Sequence, residues 1–245
     1  LKFDPSDPRW PDRDRFVLSN GHGSTLLYAL LHLAGYQAFP IDEIRRFREL
    51  GSHTPGHPEY EPDHGVEITT GPLGQGIANA AGMAVAEAML NAEFGDDVVR
   101  HFTYALVGDG CLMEGLGHEV ISLAGHLKLG RLVFLYDSNR MTDDGATSQA
   151  VSEDYVARFA CAGWHVQEVD GHDQDAISAA IEAAKADPRP SMIKCNTRIG
   201  FGVPRIEDQR VAHGGKLFAD DAKAAREHLG WAHEPFVVPE PIVAA

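Results

Sequence analysis

Apolar residues along this chain fall into two patterns. Short unbroken runs at residues 102–107, 132–136, 164–169 and 191–195 read as strands. Between them, residues 114–128, 152–162 and 173–186 carry apolar positions at helical spacing. Continuous apolar strands alternating with helices predict parallel βαβ units, so the expected fold is α/β, a parallel sheet with helices on both faces. Upstream, Leu27, Leu30, Leu31 and Ala34 form a helical stripe over residues 24–35, ended by Gly35. Residues 75–91 are Ala-rich and suit a buried helix that starts at a Gly-rich turn. Residues 51–74 form a loop dense in Gly, Pro and His, and loops of that length in compact domains are usually functional. Residues 1–19, rich in Pro, Asp and Arg, read as an extended approach segment.

Two of the strands end in oxygen-bearing residues. The run 102–107 stops at Gly108-Asp109-Gly110, and the run 132–136 stops at Asp137-Ser138-Asn139. In open parallel sheets, ligands bind beyond the carboxyl ends of strands, and both stretches lie there. Gly110 lets backbone N–H groups at a helix start come close to an anion. Asp109 offers a carboxylate oxygen and Asn139 an amide oxygen, a hard donor set that suits Mg²⁺ or Ca²⁺ shared with phosphate. The backbone carbonyl of Met141 is a candidate third ligand. Taken alone, Gly-Asp-Gly is equally an ordinary turn with Asp as helix cap. A second oxygen site in matching strand phase argues against that reading.

Composition narrows the partners. The chain has 36 acidic and 21 basic residues, a net charge of −15, which disfavours nucleic acid as a partner. No apolar stretch approaches the ~20 residues that span a membrane, and no secretion signal precedes the first element. Cys111, Cys161 and Cys195 form no CxxC pair or disulfide framework, which suggests a reducing cytoplasm. Several of the thirteen His residues adjoin Gly or Pro rather than lying on helical faces.

Several blocks together resemble the transketolase family. They are Arg13-Asp14-Arg15-Phe16-Val17-Leu18-Ser19-Asn20-Gly21-His22-Gly23-Ser24, Thr54-Pro55-Gly56-His57-Pro58-Glu59 and Thr70-Gly71-Pro72-Leu73-Gly74-Gln75-Gly76. Later come the stretch from Gly108 to Glu114, Asp144-Gly145-Ala146-Thr147-Ser148 and Thr197-Arg198-Ile199-Gly200-Phe201-Gly202. The resemblance implies a thiamine diphosphate domain over residues 1–231, with 232–245 as the start of an interdomain linker or tail. It also implies transfer of a two-carbon ketol unit from a ketose phosphate to an aldose phosphate, with thiamine diphosphate and Mg²⁺ or Ca²⁺ as cofactors. Asp109, Asn139 and the Met141 carbonyl would hold the metal, and Gly110, His22 and His213 the diphosphate. Gly71 and Leu73 would lie against the cofactor, and His57 would meet the ketose donor. Glu114 would stand at the interface of a homodimer.

The chain departs from the family pattern in three places. A Ser-Gly-His-Pro segment that the family carries upstream has no counterpart here. Asp143 stands where a non-acidic residue is usual. Residues 205–210, with Lys216 and Phe218, replace a Gly/Thr-containing loop and a Pro-Leu-Gly. No segment after Trp231 supplies the pyrimidine-binding domain, normally the second subunit's, so the expectation is a fragment that is inactive alone rather than a split subunit. Two alternatives are a non-catalytic cofactor-binding or assembly module and a related thiamine enzyme such as a dihydroxyacetone synthase.

Overall fold

A computed structural model describes residues 1–243. The expected strands form a single parallel sheet: β2 (Thr103–Gly108), β3 (Leu132–Ser138), β4 (His165–Asp170) and β5 (Ser191–Asn196). Each runs one or two residues past the apolar run that announces it. Backbone ladder bonds do not depend on side-chain polarity, and Gly108 pairs with Asp137 and Ser138 with Asn196. A fifth strand, β1 (Arg15–Leu18), makes the order β1-β2-β3-β5-β4. This corrects the reading of residues 1–19 as an approach segment. With only four residues and charged neighbours, β1 shows no apolar run of strand length, yet it pairs from Arg15↔Thr103 to Leu18↔Leu106.

Helices cover both faces, as the unbroken apolar strands require. On one face α3 (Gln75–Phe94), α5 (Gly115–Leu127) and α6 (Tyr155–Cys161) close a core with Val17, Ala105, Val107, Phe134 and Met192. Its centre is aromatic: Trp164 lies 4.9 Å from both Phe134 and Phe159, and its indole N–H donates to the Ile121 carbonyl at 2.8 Å. On the other face α1 (Ser24–Leu33) packs over Leu18 with Phe16 and Leu106. There α7 (Gln174–Ala186) covers Tyr104, Val133 and Ile193. The inward positions of α1 are Ser24, Leu27, Tyr28 and Leu31. Leu30, part of the expected stripe, is exposed because Tyr28 takes the inner position and donates its hydroxyl to the Pro55 carbonyl.

Between β2 and α5 stands a short helix, α4 (Asp109–Met113), separated from α5 by an extended Glu114. The remaining helices are α2 (Ile41–Arg45), α8 (Val211–Gly214), α9 (Ala219–His228) and α10 (Glu240–Val243). No described helix is long and apolar enough to cross a membrane.

Candidate functional site

Three neighbouring strands end side by side. Asn20, Asp109 and Asn139 leave β1, β2 and β3 at the same edge and line one cavity of about 530 Å³. Asp109 is 6% exposed. Its carboxylate accepts the Tyr136 hydroxyl at 2.5 Å and the Arg140 N–H at 3.1 Å. Burial raises the Asp109 carboxyl above its usual range, and the nearby Asp137 adds to this, while the Tyr136 and Arg140 donors oppose it. Burial, and then Asp109 itself, push the Tyr136 phenol up, so it stays protonated and donating.

The loop after β3 holds its shape by its own bonds. Arg140 adopts a left-handed φ of 62°, and the Asn139 side-chain oxygen accepts the Met141 N–H at 3.0 Å. The Asn139 amide nitrogen donates to Asp137 at 3.2 Å, and Asp137 accepts the Thr197 hydroxyl. Thr142 and Gly145 bond reciprocally, and Met141 bridges to Ala146. Asp109, Asn139 and Met141, the predicted metal ligands, therefore face the same cavity.

The long loop supplies the opposite wall. Gly21 lets the turn after β1 press against it, since a methyl group on Gly21 would sit 2.8 Å from the Gly71 nitrogen. Leu73 lies over Gly110, where an added methyl would meet its Cδ1 at 2.7 Å. Gly71, Leu73, Gly110, Glu114, His22 and His213 all line the cavity, as the resemblance implies. The His22 and His213 rings stand 4.9 Å apart. Partial withdrawal from water, then His213 and His57, hold the His22 imidazole below its ordinary value, so it is neutral near pH 7. His57 lies outside the lining: its exposed ring packs on Gly71, 3.3 Å from where a methyl on that glycine would be.

The residues suit a diphosphate held through a cation. Five carboxylates line the cavity, those of Asp109, Glu114, Asp137, Asp143 and Asp144, and none of the lining residues is Lys or Arg. An anion settling among them meets like charge, which a divalent ion shared with phosphate would offset. Two buried polar atoms lack a protein partner here, Asn20 Oδ1 at the cavity and Thr70 Oγ1 beside Gly21. Buried polar atoms without partners are rare, and Asn20, which lines the cavity, is placed to be completed by a bound polar molecule.

Sequence reasoning missed Asn20, Tyr136, Asp137 and Arg140 as parts of the site. Asn20 was visible beside Gly21-His22, but its role depends on β1. Two of the three departures meet in space: the Asp143 carbonyl accepts from Arg210, and its carboxylate lies near Gly214. The altered segment also secures α9, because Arg205 forks onto Asp221 at 2.6 and 2.7 Å.

Comparison with known proteins points the same way. The family model described as transketolase, thiamine diphosphate binding domain, matches residues 1–245. The chain is 58% identical over 245 residues to a transketolase of Cereibacter sphaeroides and 56% identical over 248 residues to transketolase 2 of Aliivibrio fischeri. Each match covers 100% of this chain and 37% of the relative, so the chain spans little more than a third of their length. Among solved structures, the Campylobacter jejuni transketolase superposes with a TM-score of 0.96 at 41% identity, covering 100% of this chain and 38% of that one. The Leishmania mexicana transketolase superposes at 0.95 with 45% identity, covering 100% and 37%.

Proposed function

The chain belongs to the transketolase family, matching its thiamine diphosphate binding domain throughout, and from that premise we propose that its cavity holds the cofactor's diphosphate end through a divalent cation. The observation that carries this reading is the convergence of Asp109 and Asn139, from adjacent strand ends, on one carboxylate-lined cavity faced by His22 and His213. Asp109, the Asn139 side-chain oxygen and the Met141 carbonyl would ligate Mg²⁺ or Ca²⁺. The Gly110 N–H lies in the first turn of α4, where backbone donors have no helical partner, and with His22 and His213 it would bind the diphosphate. Gly71 and Leu73 would border the rings. Bound thiamine diphosphate would carry a two-carbon ketol unit between sugar phosphates.

This chain's own part is positioning and charge. Tyr136 and Arg140 keep the Asp109 carboxylate aimed, and Asp137 fixes the Asn139 amide. His57, held against Gly71, would donate to a ketose hydroxyl beside the cavity. Glu114, exposed where α4 meets α5, would face a second subunit in a homodimer. Residues 1–231 would form the domain, and 232–245 would lead towards another. Free thiols at Cys111, Cys161 and Cys195 suit a reducing cytoplasm.

The test is reconstitution. The protein is mixed with a separately produced pyrimidine-binding domain, thiamine diphosphate and Mg²⁺, and ketol transfer from a ketose phosphate to an aldose phosphate is followed. Transfer that needs both partners supports the reading. Cofactor binding without transfer favours the second reading, a cofactor-binding or assembly module, to which the exposed Asp143 at the cavity's lip lends weight.

A further inference from the structure

The loop over residues 51–74 carries a second constellation, away from the cavity. His53 and His64 both turn Nδ1 towards the same Glu61 oxygen, Oε2, at 2.9 Å each. Their rings stand 4.8 Å apart at 83°. Among the described residues, this is the one group of three or more whose His, Cys, Asp or Glu donor atoms lie mutually within 4.8 Å.

Local structure builds the group. A 3-10 turn at Pro62–His64 brings His64 round onto Glu61, and Glu61 and Val66 exchange backbone bonds across the turn at 3.1 Å. Gly65, at a φ of 87°, closes it. His53 comes from the other limb. Its N–H donates to Glu43 at 2.5 Å, and the Thr54 hydroxyl donates to the Glu43 carbonyl at 3.1 Å. Neither limb is free to carry its ligand away.

Two Nδ1 atoms directed at one ionised carboxylate oxygen each donate an N–H to it. With each ring's one proton on Nε2, a single cation in place of the two Nδ1 protons leaves two neutral imidazole nitrogens and a carboxylate around a common point. Bond lengths of about 2.0–2.2 Å to a tetrahedral ion put its ligand atoms roughly 3.3 Å apart, so the two 2.9 Å N···O spacings need a few tenths of an ångström of spreading, and the two ring nitrogens already lie within 4.8 Å of each other. Two imidazoles and one carboxylate suit Zn²⁺ and its neighbours Co²⁺, Ni²⁺ and Cu²⁺, whereas Mg²⁺ and Ca²⁺ want oxygen ligands throughout. The two imidazoles line an open surface cavity of about 450 Å³, which leaves room for water on the remaining positions.

We propose that His53, Glu61 and His64 form a transition-metal site of the Zn²⁺ class that staples the two limbs of this loop. The loop also holds His57, four residues beyond one ligand, and Gly71, seven beyond another. The staple is independent of the oxygen donors at Asp109.

The test titrates Zn²⁺ into the purified protein by calorimetry, without thiamine diphosphate. The expected result is one equivalent bound, lost in a His53→Ala/His64→Ala variant and retained in Asp109→Asn. All three ligands are partly exposed, so the double variant keeps its core. A second readout needs no variant: Co²⁺-loaded protein should show two paramagnetically shifted imidazole N–H protons, one per Nδ1-bound ring, both abolished by Zn²⁺. Absence of binding, binding that survives loss of both imidazoles, or a Co²⁺ spectrum without two shifted ring protons overturns the proposal.

Discussion

At the scale of single residues, the site rests on second contacts as much as on ligands. Tyr136 touches no predicted ligand position except through Asp109, yet its hydroxyl fixes that carboxylate. Loss of such a supporting hydrogen bond typically weakens a metal site by about 10–100-fold. Tyr136→Phe should therefore raise the Mg²⁺ concentration needed for thiamine diphosphate binding by that factor, measured by Mg²⁺ titration at fixed cofactor. His22 gives a pH signature. Its ring is held below the ordinary value of 6.5, so the unfolded chain takes up the proton first as the medium acidifies. Its contribution to stability is intact above 6.5 and is eroded as pH falls below it. A proton NMR titration of the ring should give a midpoint below 6.5. The thiols give a third reading. Burial pushes Cys195 up to about 11, Cys111 is fully buried, and Cys161 is exposed. A disulfide reagent near pH 8 should label one thiol rapidly in the native protein, and Cys161→Ser should remove that phase. That most of the expected residues line one cavity was legible from residue type and position, because Gly, Asp, Asn and His at strand ends and turns have few structural reasons to cluster. Tyr136 was not, because a buried Tyr in an apolar run looks like core until its hydroxyl's partner is seen.

At the scale of elements, the apolar runs announced β2 to β5, and helical spacing announced α1, α3, α5, α6 and α7. What stayed hidden were α2, α8, α9 and α10, and two pieces that tertiary contact holds. β1 is too short, and too charged at its start, to signal itself, and α4 is a five-residue turn ended by the extended Glu114. Boundaries moved where caps decide them: α6 begins at Tyr155 because the Asp154 side chain accepts the Ala157 N–H. Packing between elements makes a paired prediction. Gly125 on α5 lies so close to the chain before Trp164 that an added methyl would fall 1.8 Å from the Ala162 carbonyl oxygen. Gly125→Ala must push α5 off the sheet, at a cost of about 1–3 kcal/mol or more. Gly82, inside α3, has open space around it, and Gly82→Ala should stabilise the protein by about 0.4–1 kcal/mol. Denaturant unfolding of the two variants checks both signs.

At the scale of the whole molecule, a net charge of −15 and a cavity lined by five carboxylates set the terms on which an anionic cofactor can enter. The fold answers by setting oxygen donors at the ends of two adjacent parallel strands, one imidazole on the turn after β1 and another on α8. The fold class was readable from sequence because a parallel sheet buried on both faces leaves unbroken apolar strands. The cavity's charge was not, because Asp137, Asp143 and Asp144 come together only when the loop after β3 folds back on itself. The decisive measurement is a calorimetric titration of thiamine diphosphate into the purified protein, with Mg²⁺ present or removed by EDTA, repeated with Asp109→Asn. Saturable binding that needs both Mg²⁺ and Asp109 is the predicted result. Equal binding in EDTA, or binding undiminished in Asp109→Asn, would contradict a cation-mediated diphosphate site.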